Sequence, residues 1–513
     1  MVFCYSALIF ATVASAQVLI DTSTPPINSV GNSFLSHGWE MGQMYNYLGD
    51  MAEPVFILAA SKLSPTIVRV GGISADFYQY IGFSSSTSKA VGAPLSSGSG
   101  WWPDSDFNLT IENVRTLTGF LAAANLSILF TLNEMYGRNC SEPVPDCPTC
   151  PNEWCDGPWN MSNVEAFLHG VHDDASIFSG VPLMFEVGNE LRGHEFAQNT
   201  TADVKALASL IQTIWADVPA SKRPPLWAPS TDACSDPEQI AIMNNLTGAP
   251  GVTGFSFHSY PGGGNNVSSK ILNETWLRYG VLAGSDANDC IDAWKVPGGP
   301  RDNGLGLWVT ETSSSWSTTL PPPAQNSFIE GFFSLANWGA FANAGVGTTM
   351  RWSFAEQSPF ALFSKNGTRW EVAADYWLYV CMRRALGVGT SAVLPVTGDE
   401  LTGALVHAYC SSNQNGTVII TAVNVHSYSI SFNLNVPTLP RAEWIFTASA
   451  GLASFAPVLN GDTASPLQTT DEGDLPSNFI SRQIDIGGDA VILLPPLSQS
   501  IIELIGADAS ACK

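Results

Sequence analysis

The sequence predicts an α/β fold, a (β/α)8 barrel with an additional C-terminal β-sandwich. Three observations carry that prediction. Eight short apolar runs recur between about residues 34 and 385. Most of them are separated by enough chain for a helix, and after about Leu386 the helical periodicity gives way to short alternating segments. At 513 residues and 45% hydrophobic content, the chain can bury one large core and a smaller one.

The chain opens on Met-Val-Phe-Cys-Tyr-Ser-Ala-Leu-Ile-Phe-Ala-Thr-Val-Ala-Ser-Ala, an apolar stretch too short to span a bilayer and closing on Ala14-Ser15-Ala16. It reads as a secretory signal, residues 1–16, cleaved before Gln17, although it lacks the usual basic residue. No later stretch reads as a membrane anchor. Gln17–Ile20 is strand-like, and residues 17–33 are expected to cross over and join the sandwich. The eight barrel runs are Phe34–Gly38, Thr66–Val70, Ser127–Leu132, Leu183–Val187, Leu226–Pro229, Gly254–His258, Leu307–Thr310 and Thr348–Trp352. Ile111–Ala124 and Asn326–Ala344 show helical spacing between them. The barrel therefore runs over 34–386 and the sandwich over 387–513, with strands near Thr417–Val425, Tyr428–Leu434 and Ala490–Leu494. The Gly/Ser-rich stretch Gly82–Gly100 and the Pro-rich stretch Cys140–Pro158 read as long barrel loops.

A formal net charge of −24 argues against nucleic acid, anionic lipid or a densely sulfated polymer as the main partner. Asn-x-Ser/Thr sequons at Asn108, Asn125, Asn139, Asn160, Asn199, Asn245, Asn266, Asn273, Asn366 and Asn415 agree with secretion. Of ten cysteines, one lies in the signal, so at least one of the other nine is left unpaired. Cys410 and Cys512 are expected to pair. The cluster Cys140, Cys147, Cys150 and Cys155 reads as disulfides in a secreted loop more readily than as a zinc site. The pairing of Cys234, Cys290 and Cys381 is left open. Sixteen tryptophans include Trp101, Trp102, Trp154, Trp159, Trp316 and Trp352 at loops or strand ends, where rings suit sugar faces.

Two segments carry chemistry. Phe185-Glu186-Val187-Gly188-Asn189-Glu190 and Leu307-Trp308-Val309-Thr310-Glu311-Thr312 each end an apolar strand on a glutamate, the fourth and seventh strands of the barrel. A (β/α)8 barrel builds its active site at the carboxyl ends of its strands. Two carboxylates facing one pocket there can cleave a glycosidic bond, one protonating the leaving oxygen and the other attacking the anomeric carbon. Asn189 is placed to hold a sugar hydroxyl. His258 and Tyr260 end the sixth strand beside Glu311 and can keep it ionised, leaving Glu190 to carry the proton. Glu134, Glu186 and Glu195 are alternative acids, and Arg69 reads as a buried partner for a carboxylate at the barrel mouth.

These residues lie within a wider resemblance. Val68-Arg69-Val70-Gly71-Gly72 with Asp76-Phe77, Leu132-Asn133 through Gly137-Arg138, Gly157-Pro158-Trp159-Asn160, Phe185 through Gly193, Glu311-Thr312-Ser313-Ser314, Asp375-Tyr376-Trp377 and Ala511-Cys512-Lys513 run almost end to end. In these stretches the chain resembles the heparanase-like proteins of glycoside hydrolase family 79, plant-type members more than animal heparanases. The resemblance implies a secreted retaining hydrolase of β-linked glucuronic acid or its 4-O-methyl form. Glu190 would be its acid/base and Glu311 its nucleophile, with Asp76, Asn189, His258 and Tyr260 lining the subsite of the cleaved sugar. It implies no metal or organic cofactor. The implied partner is a uronic-acid-containing polysaccharide or glycoprotein glycan, in an extracellular or lysosome- or vacuole-like compartment, compatible with association at a cell wall or membrane periphery.

After the eighth strand the chain departs from the family pattern. Relatives carry Arg-Gln and then a Gly-Asn-Tyr-like turn that holds the uronate carboxylate, whereas here Arg351-Trp352 is followed by Gln357-Ser358-Pro359-Phe360. Trp352 and Phe360 are the residues on which sugar choice is expected to turn, and they leave open a neutral β-glycoside as substrate, or a carbohydrate-binding relative without catalysis. The basic linker that animal heparanases excise is not evident in Ser84–Asp106, which points to a single-chain protein.

Overall fold

A computed structural model describes residues 17–83, 108–137, 157–191, 194–232, 234–264, 267–317 and 324–513, those at 194–198 by backbone alone. Residues 1–16, Trp101, Trp102, Trp154, the cysteines at 140, 147, 150 and 155, the sequons at Asn139 and Asn266, and the Glu195 side chain lie outside that description.

Eight parallel strands close into a barrel in chain order: β1 (Leu35–Glu40), β2 (Ile67–Gly71), β3 (Ser127–Leu132), β4 (Leu183–Val187), β5 (Leu226–Thr231), β6 (Val252–Ser259), β7 (Gly306–Thr312) and β8 (Thr348–Trp352). Both faces of each strand are covered, so β2, β5 and β8 are buried at every residue. That is why they show no alternation of apolar and solvated residues, their few polar side chains being buried as well.

Inside the barrel, side chains of period two form layers. The lowest apolar layer holds Ile67, Leu129, Trp227, Trp308 and Met350, with Met184 packed on it. Trp227 and Trp308 stack with ring centroids 3.5 Å apart and plug the pore. Gly254 leaves them room, because a Cβ there would lie 2.0 Å from the Trp227 ring. Two residues further along, the layer turns polar on three of these strands, where Ile67 is followed by Arg69, Leu129 by Thr131 and Met184 by Glu186, while Met350 is followed by Trp352. An apolar floor thus carries a charged layer at the carboxyl ends of the strands.

The helix preceding β8 begins at Glu330 and not at Asn326. The amides of Phe328 and Ile329 donate to the carbonyls of Ser454 and Leu452, and those of Glu330, Gly331 and Phe332 close tighter turns on Ser327, Phe328 and Ile329, so the regular helical ladder starts only after them. From there to Ala344 the helix is buried on nearly every side, wedged between barrel and sheets, which explains its all-round apolar composition.

Most of the remaining strands form two further sheets, beside two small two-stranded ones that pair Gln79–Ile81 with Asn108–Thr110 and Phe363–Asn366 with Arg369–Val372. One orders Val396–Thr397, Gln17–Ile20, Ile430–Leu434 and Ile492–Leu494. The other runs from Asn28–Val30 through Ser391–Leu394, Leu405–Cys410, Val418–Asn424, Ser498–Leu504 and Arg441–Thr447 to Val458–Leu459. Val18, Ile20, Phe432 and Ile492 of the first share a second core with Val406, Ile420 and Ile502 of the other. Cys410 and Cys512 are bonded across 102 residues. Cys234 and Cys290 form a second disulfide, tying the segment after β5 to the helix Ala287–Lys295, and Cys381 is buried and free. Among the described residues, no helix is long and apolar enough to cross a membrane.

Candidate active site

At the centre of the polar layer sits Arg69, fully buried, with four partners on three other strands or their ends. Its Nε donates to Glu186 Oε2, Nη1 to Glu311 Oε1 at 2.6 Å, and Nη2 to Asn189 Oδ1 at 2.9 Å and Ser230 Oγ at 2.8 Å. Burial alone would weaken the guanidinium as a cation, but Glu186 and Glu311 outweigh it and hold the charge in place. Glu186, one of the alternative acids, is therefore the counter-ion of Arg69, bound also by Thr131 Oγ1 at 3.0 Å. It has no exposed surface.

Glu311 is brought to Glu190 by irregular pairing. The β6–β7 register slips between Phe257 and His258, so that His258 comes to lie opposite Glu311, and the β7–β8 register slips between Val309 and Thr312. Bulges of this kind re-aim side chains beside active sites. Glu311 Oε2 accepts from Tyr260 Oη at 2.7 Å. Burial, with Glu311 beside it, pushes the Tyr260 phenol well above its ordinary pKa, so it stays a donor. Both oxygens of Glu311 are held by donors, one of them a cation.

Glu190 follows β4 in the left-handed region at φ 52°, and Ser230 on β5 adopts φ 57°. Non-glycine residues rarely do so, and where they do the backbone stores strain that cross-links must hold. Here the Glu190 amide donates to the Ser230 carbonyl at 2.8 Å, turning the Glu190 side chain towards β6. Its Oε1 lies 2.7 Å from His258 Nδ1, whose Nε2 lies 2.9 Å from Ser230 Oγ. The Glu190 side chain is 23% exposed and that of Glu311 only 7%, so the former meets solvent and the latter is enclosed.

The structure brings Glu190, Glu311, Asn189, His258 and Tyr260 into one cluster. Asn189 spends its carbonyl oxygen on Arg69, which turns the acceptor inward. Asp76 stands behind the cluster: Oδ1 accepts the Glu134 amide and Oδ2 the Asn189 amide, both at 2.9 Å. That makes it a brace for Asn189. Glu134 is fully buried and packs against Gly188, away from solvent. Trp352 lies across Gly38 and Gly72, with the Arg69 guanidinium carbon 5.9 Å from its ring centroid. Phe360 is held beside the end of β8 by its carbonyl, which accepts from the Ser353 amide and from Arg351 Nη1. Arg351 is itself saturated by Asp375 and by the carbonyls of Ser353, Phe360 and Gln325.

Sequence reading missed Ser230, which joins Arg69 to His258, because the fifth strand was expected to stop at Pro229. It also missed Glu330, whose carboxylate takes the Ser314 amide at 2.9 Å and pins the segment after Glu311. Glu190, His258 and Glu311 offer three ligand atoms within 4.8 Å of one another, the spacing a metal ion would need. Arg69, a permanent cation 2.6 Å from Glu311, opposes a second cation there.

Residues 33–339, more than half of the chain, match the sequence model of the glycosyl hydrolase family 79 N-terminal domain. This chain belongs to glycosyl hydrolase family 79. The family 79 chain is 25% identical over 230 residues to the protein named inactive heparanase-2 of Mus musculus, and equally to that of Homo sapiens. The match covers 41% of this chain and 37% of the length of those relatives. In architecture it is similar to a 4-O-α-L-rhamnosyl-β-D-glucuronidase from Fusarium oxysporum 12S, with a TM-score of 0.64 at 14% identity over 95% of this chain and 100% of that one. A family 51 α-L-arabinofuranosidase from Bifidobacterium longum gives a TM-score of 0.60 at 12% identity, covering 96% of this chain and 100% of that one. At such identities the likeness is one of fold: a (β/α)8 barrel with appended sheets.

Proposed function

We propose that this family 79 protein is a retaining glycoside hydrolase acting on β-linked glucuronides, with Glu190 as acid/base and Glu311 as nucleophile. The observation that carries the proposal is the approach of a Glu190 oxygen to within 4.8 Å of a Glu311 oxygen. Retaining enzymes hold their carboxyl groups roughly 5–5.5 Å apart and inverting ones roughly 6.5–9.5 Å to admit a water; so close an approach of the nearest oxygens supports the shorter spacing. In the first step Glu190 gives its proton to the glycosidic oxygen as Glu311 bonds to the anomeric carbon and the leaving alcohol departs. In the second, Glu190 takes a proton from water, which displaces Glu311. Arg69 and Tyr260 keep Glu311 ionised and oriented, and His258 fixes Glu190. The Asn189 amide nitrogen is left to donate to the sugar hydroxyl beside the reacting carbon, a hydrogen bond that strengthens in the transition state.

The glucuronide half of the proposal rests on family membership and on the likeness to the Fusarium glucuronidase. A neutral β-glycoside is the second reading, and a specific observation favours it: Arg351 has no donor to spare for a uronate, and the half-buried Glu40 and buried Glu356 lie on the same side of the barrel. A glycan-binding protein without catalysis is the reading that one matched relative's name raises. Hydrolysis of the 4-nitrophenyl β-glucuronide, β-glucoside and β-galactoside at mildly acidic pH separates the three. Glu190→Gln is expected to lower turnover of the preferred substrate by about 10²–10⁴-fold. Glu311→Gly is expected to be rescued by azide with formation of the α-glycosyl azide. Undiminished turnover in either variant refutes its assignment.

A further inference from the structure

Past Glu311, the segment Thr312-Ser313-Ser314-Ser315-Trp316 climbs out of the barrel. Among the described residues Trp316 is the one tryptophan with most of its surface in solvent, 62% of it. A single exposed aromatic needs no explanation by itself. This one is held in place. The Gly262 amide donates to the Ser314 carbonyl at 2.8 Å, Ser315 Oγ to the Gly263 carbonyl, and Gln325 Nε2 to the Ser317 carbonyl at 2.8 Å. The indole lies against the Cα of Gly264, where a Cβ would come within 3.0 Å of the ring. The loop after β6 thus supports one face of the ring and presents the rest to solvent.

Trp316 stands on the β6–β7 rim, just past Glu311 in the chain and against the loop that follows Tyr260. Glu190 Oε1 lies 2.7 Å from His258 Nδ1 on β6, and Glu311 Oε2 accepts from Tyr260 at the end of the same strand, so both carboxylates are tied to the β6 end of the site. The β1, β2 and β8 side is closed by Trp352 against Gly38 and Gly72. A glycan chain directed away from Trp352 runs towards the β6–β7 rim, where Trp316 is presented. A pre-fixed ring loses little entropy when a sugar stacks on it. The net charge of −24 selects a neutral partner over a polyanionic one.

We infer that Trp316 is the platform of a leaving-group subsite, stacking a neutral pyranose of the glycan chain released on cleavage. The inference rests on the assignment of Glu190 and Glu311. Such a subsite also binds acceptors: an acceptor hydroxyl oxygen bonds to the anomeric carbon, the bond to Glu311 breaks, and the hydroxyl proton passes to Glu190.

The test uses the β-glycosyl fluoride of the preferred sugar, whose leaving group is too small to reach Trp316, with xylotetraose or cellotetraose as acceptor. Product is partitioned between transfer and hydrolysis. Trp316→Ala is expected to lower the transfer-to-hydrolysis ratio by about tenfold, and Trp316→Phe to restore most of it. An unchanged ratio in Trp316→Ala overturns the inference. If the wild-type protein releases no fluoride, the catalytic reading fails, and xylotetraose binding to the wild-type chain, followed by titration calorimetry, decides the platform separately. Binding lost in Trp316→Ala supports it, and equal binding overturns it.

Discussion

At the scale of single residues, Arg69 joins the two halves of the site. It neutralises Glu186 below and Glu311 above, and through Ser230 it touches the His258 that holds Glu190. Removing one partner of a buried pair leaves the other charge uncompensated, at a cost of about 3–5 kcal/mol, whereas replacing both with apolar groups is often neutral. Arg69→Met is accordingly expected to lower the urea midpoint sharply, and Arg69→Met with Glu186→Leu to recover much of it. Activity is not expected to return in the double variant, because Glu311 still lacks its cation. Full activity there would remove Arg69 from the mechanism. The position of Arg69 in an apolar strand marked it in the sequence as a carboxylate's partner. Which carboxylate was not legible, since that depends on Glu186 sharing its layer, and Ser230 gave no signal beyond an ordinary serine after a proline.

At the scale of elements, the eight strands were legible because each is largely buried on both faces and so rich in apolar residues, with polar ones confined to the inward layer. The strand-end glutamates stood out against them. What the chain could not disclose locally were the slips in register at His258 and between Val309 and Thr312, since these depend on pairing between strands. The start of the Glu330 helix was misjudged for a similar reason, the capture of its first amides by a distant loop. The sheet unit is closed at its end by Cys410–Cys512, a bridge over 102 residues. Loss of a bridge over so long a segment costs about 2–5 kcal/mol. Paired Cys410→Ser and Cys512→Ser substitutions should therefore lower the calorimetric Tm by several degrees, and an unchanged Tm would show that the bridge adds nothing.

At the scale of the whole molecule, buried ionisable groups set opposing limits on stability. Burial pushes His407 down to about 4, and holds His37 well below its ordinary value. The unfolded chain takes up protons that the folded one refuses, so stability falls as pH drops from about 6.5 towards 4, by roughly 1.4 kcal/mol per pH unit for each such group. Glu40, Glu330 and Glu356 are raised by burial. Their contribution is complete below about pH 4.5 and is lost as pH rises through their folded values. The Tm should therefore peak in the weakly acidic range, and His407→Gln should flatten its acid limb. A Tm still rising beyond pH 8 would contradict this balance.

The central claim is that Glu190 and Glu311 stand close enough for double displacement. Following the anomeric proton by NMR during hydrolysis of the preferred β-glycoside tests it most directly. The separation of the two carboxylates predicts the β-anomer as first product, changing to the α-anomer only by mutarotation, and an α-anomer formed first would contradict the account.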